Sequence, residues 1–351
     1  MTEFPRNVWY MAGWSEEIGG AFLSRRICGR RLLLFRKTVG DAAALDDRCP
    51  HRFAPLSMGV RDGDRIACGY HGLVFDATGA CVHNPFSDRI PGRAKVRSYP
   101  VVERHSIVWV WLGDPEKTDP PAIPDFSHFD VAPGRKVLRG YTHMKANYEF
   151  GTDNLLDLSH IEFVHRGSLG GERVIFAGKH SVVEEDETLH SNWWIPNIPP
   201  PGVVKDIYPP DTRVDHWLDM RWNAPASMFL KIGATPTGAA RGDGFEVPQA
   251  HILTPEDESR THYFWANSRT QDIDSADVDA MLERLFHQAF VVEDKPMIEG
   301  AYDNLEGGDF WAQQPLSLGI DAGGVRARRM LQRLITREQQ ELGLDGRQDV
   351  R

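Results

Sequence analysis

In the first third of the chain, apolar residues come in short bursts broken by Gly, Asp and Pro. The bursts are 25–37 (RRICGRRLLLFRK), 41–47, 65–70, 73–82 and 106–114. Runs of this length, bounded by turn residues and closely spaced, predict a small antiparallel β domain. Segment 113–126, with Pro115, Pro120, Pro121 and Pro124 and little periodicity, predicts a linker. The texture then changes. Over 145–165 the apolar positions 148, 150, 155, 156, 158, 161, 163 and 164 follow an imperfect helical period. Strand-like runs follow at 173–178, 219–233, 250–256 and 262–269. Segment 274–305 opens with Asp/Ser capping chemistry and reads as helix. A last amphipathic helix is predicted over 323–342, with Met330, Leu331, Leu334 and Ile335 on one face. Trp193-Trp194 and the proline-rich segment 195–202 read either as a mobile loop or as simple packing.

At 351 residues the chain is long enough for two cores. A formal net charge of -10 argues against nucleic acid, whose phosphates it would repel. The first residues have no basic stretch followed by a long apolar one, and no run approaches the roughly 20 apolar residues that span a bilayer. A cytoplasmic protein without a membrane partner is expected.

The four cysteines are Cys28, Cys49, Cys68 and Cys81. In a reducing compartment, cysteines spaced with histidines are ligands more readily than disulfides. Cys49-Pro50-His51 and Cys68-Gly69-Tyr70-His71 are such clusters, with 16 residues between His51 and Cys68. One tetrahedral zinc is awkward for Cys-x-His matched with Cys-x-x-His. A two-iron cluster suits them better, with both cysteines on one iron, both histidines on the other, and each loop giving one of each. Cys28 and Cys81 are expected to be ordinary buried thiols.

A second constellation, Asn154, Asp157, His160 and His165, falls within twelve residues. Two histidines and a carboxylate on one face, with positions left open, make the ligand set of a non-haem Fe(II) oxygenase. Five residues apart on a regular helix, His160 and His165 would diverge by about 140°. The helix must therefore end or open into a π-type bulge between them. Alternatively, both histidines edge an amphipathic helix and are satisfied by water.

CPHR (49–52) with CGYHG (68–72) is similar to the Rieske signature. The segment NYEFGTDNLLDLSHIEFVH (147–165) resembles the Asp-x-x-His-x4-His motif of Rieske non-haem iron oxygenases. The likeness covers nearly the whole chain. NVWYMAGW, YPVVERHSIVWVWLGDP (99–115), HILTPE and IDAGGVRARRMLQRLI (320–335) look like the vanillate O-demethylase oxygenase group, whose members act on methoxybenzoates such as dicamba and on toluene sulfonate methyl groups.

That resemblance implies an α+β chain: a small antiparallel β Rieske domain over 1–120, then a catalytic domain over 121–351 with a curved antiparallel sheet and helices, of the helix-grip (START-like) kind. It implies one [2Fe–2S] cluster on Cys49, His51, Cys68 and His71. It also implies one mononuclear Fe(II) on His160, His165 and a late carboxylate, placed at Asp294, with Glu293 and Glu299 on a solvated helix face. Asp157 is implied to link the cluster of one subunit to the iron of the next, from His71 through Asp157 to His160, in a head-to-tail homotrimer. Asn154 approaches the iron or orients a ligand. The implied reaction uses O2 and electrons from a separate NADH-dependent flavin/iron–sulfur reductase. It hydroxylates a methyl or methoxy carbon of a small aromatic acid, and a hydroxylated methoxy group collapses to a phenol and formaldehyde. Methyl or ring hydroxylation is an alternative, and an electron-transfer protein with a non-catalytic second domain is another. For substrate contacts, His251 sits where related demethylases place a substrate-contacting histidine and is otherwise a satisfied core histidine, while Asn223 and Lys231 alternate with apolar residues and either face a cavity and meet a carboxylate there or lie on a solvated strand face. Leu230 and Leu285 stand where a dicamba pocket is expected to carry Asn and Trp.

Overall fold

The computed structural model describes residues 4–341 apart from 172, 203, 205, 206 and 210. Its contacts divide it into two units, one through Asp125 that also takes 254–258 and the chain from Glu338, the other comprising 126–253 and 259–337. The change of unit thus falls at 125/126, a few residues beyond the 120/121 boundary expected from the sequence. The first unit also recruits the tip of a distant hairpin, where Pro255 O accepts from Cys28 N–H at 2.8 Å.

The first unit holds three small antiparallel sheets. In one, β1 (Trp9–Trp14) pairs with β11 (Ile107–Trp111), which also pairs with β10 (Val101–Arg104). In a second, β2 (Leu23–Ile27), β3 (Arg30–Arg36), β4 (Ala42–Asp46) and β9 (Ser98–Tyr99) lie in that order. The third runs β5 (Val60–Asp62), β6 (Arg65–Ala67), β7 (Val74–Phe75) and β8 (Cys81–His83). The run 73–82 therefore breaks into two strands, because Asp76 takes the turn amides of Thr78 and Ala80 on its carboxylate. Strand β3 sends Leu32 and Leu34 into one core and Leu33 and Phe35 into another, following the period of two. The second core also contains Leu45, Leu56, Ile66 and Phe75, and it buries Cys49 and Cys68. Each fully buried aliphatic or aromatic side chain contributes about 1.5–3 kcal/mol, so the two cysteines sit on a firm base.

The second unit is built on a seven-stranded antiparallel sheet. Its strands are β12 (Lys136–Met144), β13 (Lys179–Glu185), β14 (Thr188–Ile198), β15 (Val214–Asn223), β16 (Ser227–Pro236), β17 (Phe245–Asp257) and β18 (Arg260–Arg269), ordered β12-β18-β17-β16-β15-β14-β13. Helices cover one face: α1 (Tyr148–Leu156), the single turn α2 (Ile161–Val164), α3 (Ala276–Phe286), α4 (Lys295–Asp303) and α5 (Ala322–Glu341). Between α3 and α4 the rod widens into a π-helix over His287–Asp294. Phe286 and Phe290 reach Trp265 at 5.3 and 5.7 Å between ring centroids. The opposite face of the sheet is covered around Phe229 by Phe126 and Phe129, at 6.2 and 5.8 Å. Because both faces are covered, most of β15 to β18 is buried.

Three sequence expectations change here. The run 173–178, read as strand-like, is a 3-10 turn over Val174–Ala177, and β13 begins only after it. Segment 145–165 is not one helix. α1 stops at Leu156, Asp157 leaves helical geometry with ψ 83°, and its carboxylate caps a 3-10 turn over Leu158–His160. Segment 195–202 is not wholly a loop either. Residues 195–198 complete β14, with a register irregularity between Ile195 and Ile198. Before it, Trp193 stacks on His180 at 4.7 Å and Trp194 on Trp217 at 6.4 Å.

Candidate metal centres

The two cysteine–histidine loops have the same backbone construction. In the first, Cys49 N–H donates to Ala54 O and Phe53 N–H to Cys49 O, both at 2.9 Å. In the second, Cys68 N–H donates to Leu73 O at 2.8 Å and Gly72 N–H to Cys68 O at 2.9 Å. Each reversal needs a left-handed residue four positions after its cysteine. Gly72 supplies it at φ 71° without a Cβ penalty, and Phe53 at φ 61° under the Arg48 guanidinium, 4.0 Å above its ring. Like loops from opposite sides thus bring Cys49 to Cys68 and His51 to His71, whose ring centroids are 4.5 Å apart. Burial pushes the Cys49 thiol up, with Cys68 beside it adding to the rise. A coordinated metal would remove that proton outright. The Nδ1 of His71 is buried and has no hydrogen-bond partner. A buried orphan nitrogen beside two buried thiols fits a cluster with one histidine-ligated iron. Cys28 and Cys81 lie apart from these ligands in the packing of the two cores, both half-buried, with burial pushing the Cys28 thiol up to about 12.

In the second unit the stretch from His160 to His165 is not a regular helix, and this meets the spacing problem: His160 closes a 3-10 turn, and α2 ends at Val164 as His165 leaves helical geometry with ψ 32°. The turn and α2 replace a continuous helix, and the two rings come to 5.2 Å between centroids. His160 Nδ1 donates to Asp157 O at 2.6 Å, which leaves its Nε2 lone pair facing Asp294 Oδ1 at 3.4 Å. His165 Nδ1 donates to Glu293 Oε2 at 2.7 Å, which leaves its Nε2 facing Asp294 Oδ2 at 3.3 Å. One ligand atom from each of His160, His165 and Asp294 lies within 4.8 Å of the others. This is the two-histidine, one-carboxylate arrangement of a non-haem iron site. Asn154 Nδ2 donates to Asp294 Oδ1 at 3.3 Å, so it orients the carboxylate. Burial lowers the pKa of His160 against the pull of Asp294. Burial also opposes the charge on His165, but its bonds to Asp294 and Glu293 outweigh that and hold its pKa up. Asp294 is held below the usual carboxylate range, because His165 and His160 overcome its burial.

Of the two expected ways to join the histidines, the helix ends, with α2 stopping at Val164, and the π-helix lies on the segment that carries Asp294. Glu293 also departs from expectation. It is not on a solvated face but accepts from His165, from Ser168 Oγ at 2.7 Å and from Gln288 at 2.9 Å. Such a carboxylate behind a ligating histidine fixes its tautomer and raises its basicity. Sequence reading missed this role; a carboxylate adjacent to the chosen ligand was its only trace. A second missed residue is Glu162, buried between the two histidines, which accepts from the backbone of Gly171, Arg173 and Ile175 at 2.6–3.0 Å.

The substrate contacts divide by strand register. His251 pairs with Met228 and Gln249 with Leu230, and Leu230 pairs in turn with Met220, so all five share a face. Phe290 of the π-helix lies 5.4 Å from His251, so this face looks toward the histidine–carboxylate site. Asn223 and Lys231 belong to the opposite face, with Phe229, and this corrects their assignment to the cavity. Asn223 Nδ2 donates to Thr188 Oγ1 at 2.9 Å, and Lys231 pairs with Glu246 at 3.1 Å. Leu285 is half-buried at the end of α3.

A β domain with paired cysteine–histidine loops, followed by a helix-covered sheet holding two histidines and a carboxylate, defines the oxygenase component of a Rieske system. The chain belongs to the vanillate O-demethylase oxygenase family. The Rieske [2Fe-2S] domain matches residues 8–100 and the vanillate O-demethylase oxygenase C-terminal domain residues 144–337. Among its relatives, the chloroacetanilide N-alkylformylase oxygenase component of Rhizorhabdus wittichii is 36% identical over 95% of this chain and 97% of its own length. The dicamba O-demethylase oxygenase component of Stenotrophomonas maltophilia is 38% identical over 94% and 98%. A crystal structure of dicamba monooxygenase bound to dicamba superposes with a TM-score of 0.89 at 38% identity, over 96% of this chain and 99% of that one. No helix among the described residues is long and apolar enough to cross a membrane.

Proposed function

We propose that the chain is a terminal oxygenase that takes electrons from a separate NADH-dependent reductase and uses O2 to hydroxylate a methyl or methoxy group of a small aromatic acid. A methoxy substrate would leave as a phenol and formaldehyde. The observation that carries this reading is the convergence of two imidazole Nε2 atoms on the two oxygens of Asp294. Relatives named as O-demethylases of dicamba and vanillate support it.

When bound, the iron centres supply electron transfer and O2 activation. The protein's own work is positional. Asp157 O and Glu293 hold the Nδ1 protons, so each histidine offers Nε2 to the metal. Asn154 steadies Asp294. The buried face around His251 and Leu230 excludes water from the substrate.

The working unit in this reading is a homotrimer in which His71 of one subunit meets Asp157 of the next. Two surfaces support it. Phe53 and Tyr70 stand 62% and 64% exposed on the cluster loops. A cavity of about 300 Å3 opens beside Asp157 and His160 in the second unit, rimmed by Trp311 and Leu316. Measuring formaldehyde against NADH consumed, with a matched reductase and a set of methoxybenzoates, tests the activity. A hydroxymethyl or cis-diol product would place the enzyme elsewhere in the family. Iron near two per chain instead of three would favour an electron carrier.

A further inference from the structure

On the substrate-facing side of the sheet, three buried side chains form one hydrogen-bonded line. Tyr263 Oη lies 2.7 Å from His251 Nδ1, and His251 Nε2 lies 3.2 Å from Gln249 Oε1. An amide oxygen only accepts, so His251 Nε2 carries the proton. Its Nδ1 is then the lone pair that accepts from the Tyr263 hydroxyl. Both ring nitrogens of His251 are used, and it has nothing left to offer a ligand. The free end of the line is the Gln249 amide nitrogen, which has no partner among the described residues although the residue is only 9% exposed.

The line lies beside the histidine–carboxylate site. Phe290, four residues before Asp294 on the π-helix, packs on His251 and Tyr263 at 5.4 and 5.9 Å, and the Asp294 charge acts on both. Next to Gln249 across the sheet are Leu230 and then Met220, both apolar. Lys231 points to the other face.

We propose that the Gln249 amide N–H group, rather than His251, is the donor that reads the substrate, binding an acceptor oxygen on the acyl group of an aromatic ring and setting specificity. This rests on the oxygenase reading above. The group offers two hydrogens and no lone pair, so its complement is an acceptor. It is neutral, and burying a carboxylate without a cation costs several kcal/mol. The site therefore reads the oxygen and not the charge, and a carboxamide binds at least as well as the matching carboxylate.

The test uses iron-loaded wild type, Gln249→Leu and Gln249→Glu, with a methoxybenzoate and the methoxybenzamide of the same ring pattern. Binding is measured by calorimetry without O2, and turnover by formaldehyde release. In the wild type, Kd for the benzamide is expected to equal or fall below that for the benzoate. Gln249→Leu is expected to raise Kd and KM about tenfold for both while kcat stays within threefold, the loss of one hydrogen bond. Gln249→Glu should weaken the benzoate further, through like charge. Gln249→Met replaces the leucine variant if that one fails to hold iron. Unchanged Kd in the leucine or methionine variant, a benzoate bound tenfold tighter than the benzamide, or failure of both compounds to bind the wild type each overturns the proposal. Binding as expected without formaldehyde would leave Gln249 as the reader and remove the demethylase reading instead.

Discussion

Glu293 Oε2 stands 2.7 Å from Nδ1 of His165, whose Nε2 in turn faces Asp294 at 3.3 Å. Adjacent carboxylates on one π-helix thus act on opposite sides of the same imidazole, one accepting from Nδ1 and the other facing Nε2. Glu293→Gln keeps one acceptor oxygen but removes the negative charge and turns the other oxygen into a donor, so the hold on the His165 Nδ1–H weakens. Iron at the histidine–carboxylate site is expected to bind 10–100-fold more weakly. Chelator competition followed by iron analysis measures this, with the visible spectrum of the cluster as an internal control. Full retention of three irons per chain would remove the role.

Asp157 caps the turn before His160 with Oδ1, which accepts from Ser159 N–H and Oγ, and it holds that histidine through its backbone carbonyl, so only Oδ2 is left for another partner. Asp157→Asn keeps the carbonyl. Both metal centres should load normally, while the proposed bridge between subunits requires turnover to fall by orders of magnitude. Substantial residual activity would argue that electrons take another route.

Lys231 lies on the face of the sheet away from the histidine–carboxylate site, paired with Glu246. Lys231→Met is therefore expected to leave KM for any aromatic acid within twofold. A tenfold rise would mean that the side chain reaches the face covered by the helices.

Gly140 pairs with Trp265, whose ring lies where a Cβ would go, at 1.9 Å. Gly140→Ala must displace an indole that is held by Phe286 and Phe290. Overpacking of this kind costs about 1–3 kcal/mol. A fall of several degrees in the thermal midpoint is expected, and an unchanged midpoint would show that the indole moves freely.

His216 is buried with its Nδ1 donating to Gly233 O at 2.7 Å, and burial depresses its pKa to about 4. Its unfolded value is near 6.5, so between those pH values the unfolded chain binds the proton that the folded chain refuses. Stability is thus complete above about pH 6.5 and declines as pH falls toward 4. At pH 5 the loss from this one group is on the order of 2 kcal/mol. His216→Asn keeps a donor without the titration. Its denaturation midpoint should fall less between pH 7 and pH 5 than that of the wild type, and equal falls would contradict the assignment.

The cluster loops were legible in the sequence because each pair of ligands lies within four residues on one chain reversal, so spacing alone encodes their geometry. The second site was legible only in part. His160 and His165 are named by the chain, but on a regular helix five residues would make them diverge, and periodicity does not encode the short 3-10 and α turns that bring them together. Alternation marked two faces on β15 and β16 without saying which one the helices cover, and Asn223 and Lys231 were assigned to the wrong side for that reason. Glu293 looked solvated because periodicity cannot foresee a π-helix, whose hydrogen-bond register is chosen by what packs against it.

By itself the sequence determined two antiparallel β bodies, the ligands of the cluster, and the identities of two histidines and a late carboxylate. Tertiary structure decided which nitrogen of each histidine is free, which carboxylate meets Nδ1 and which faces Nε2, and that His251 is fully occupied while Gln249 is not. The physical reason is the same in each case. Local patterns fix a residue's type and periodicity, whereas the direction of a hydrogen bond depends on a partner brought from 12 to more than 120 residues away.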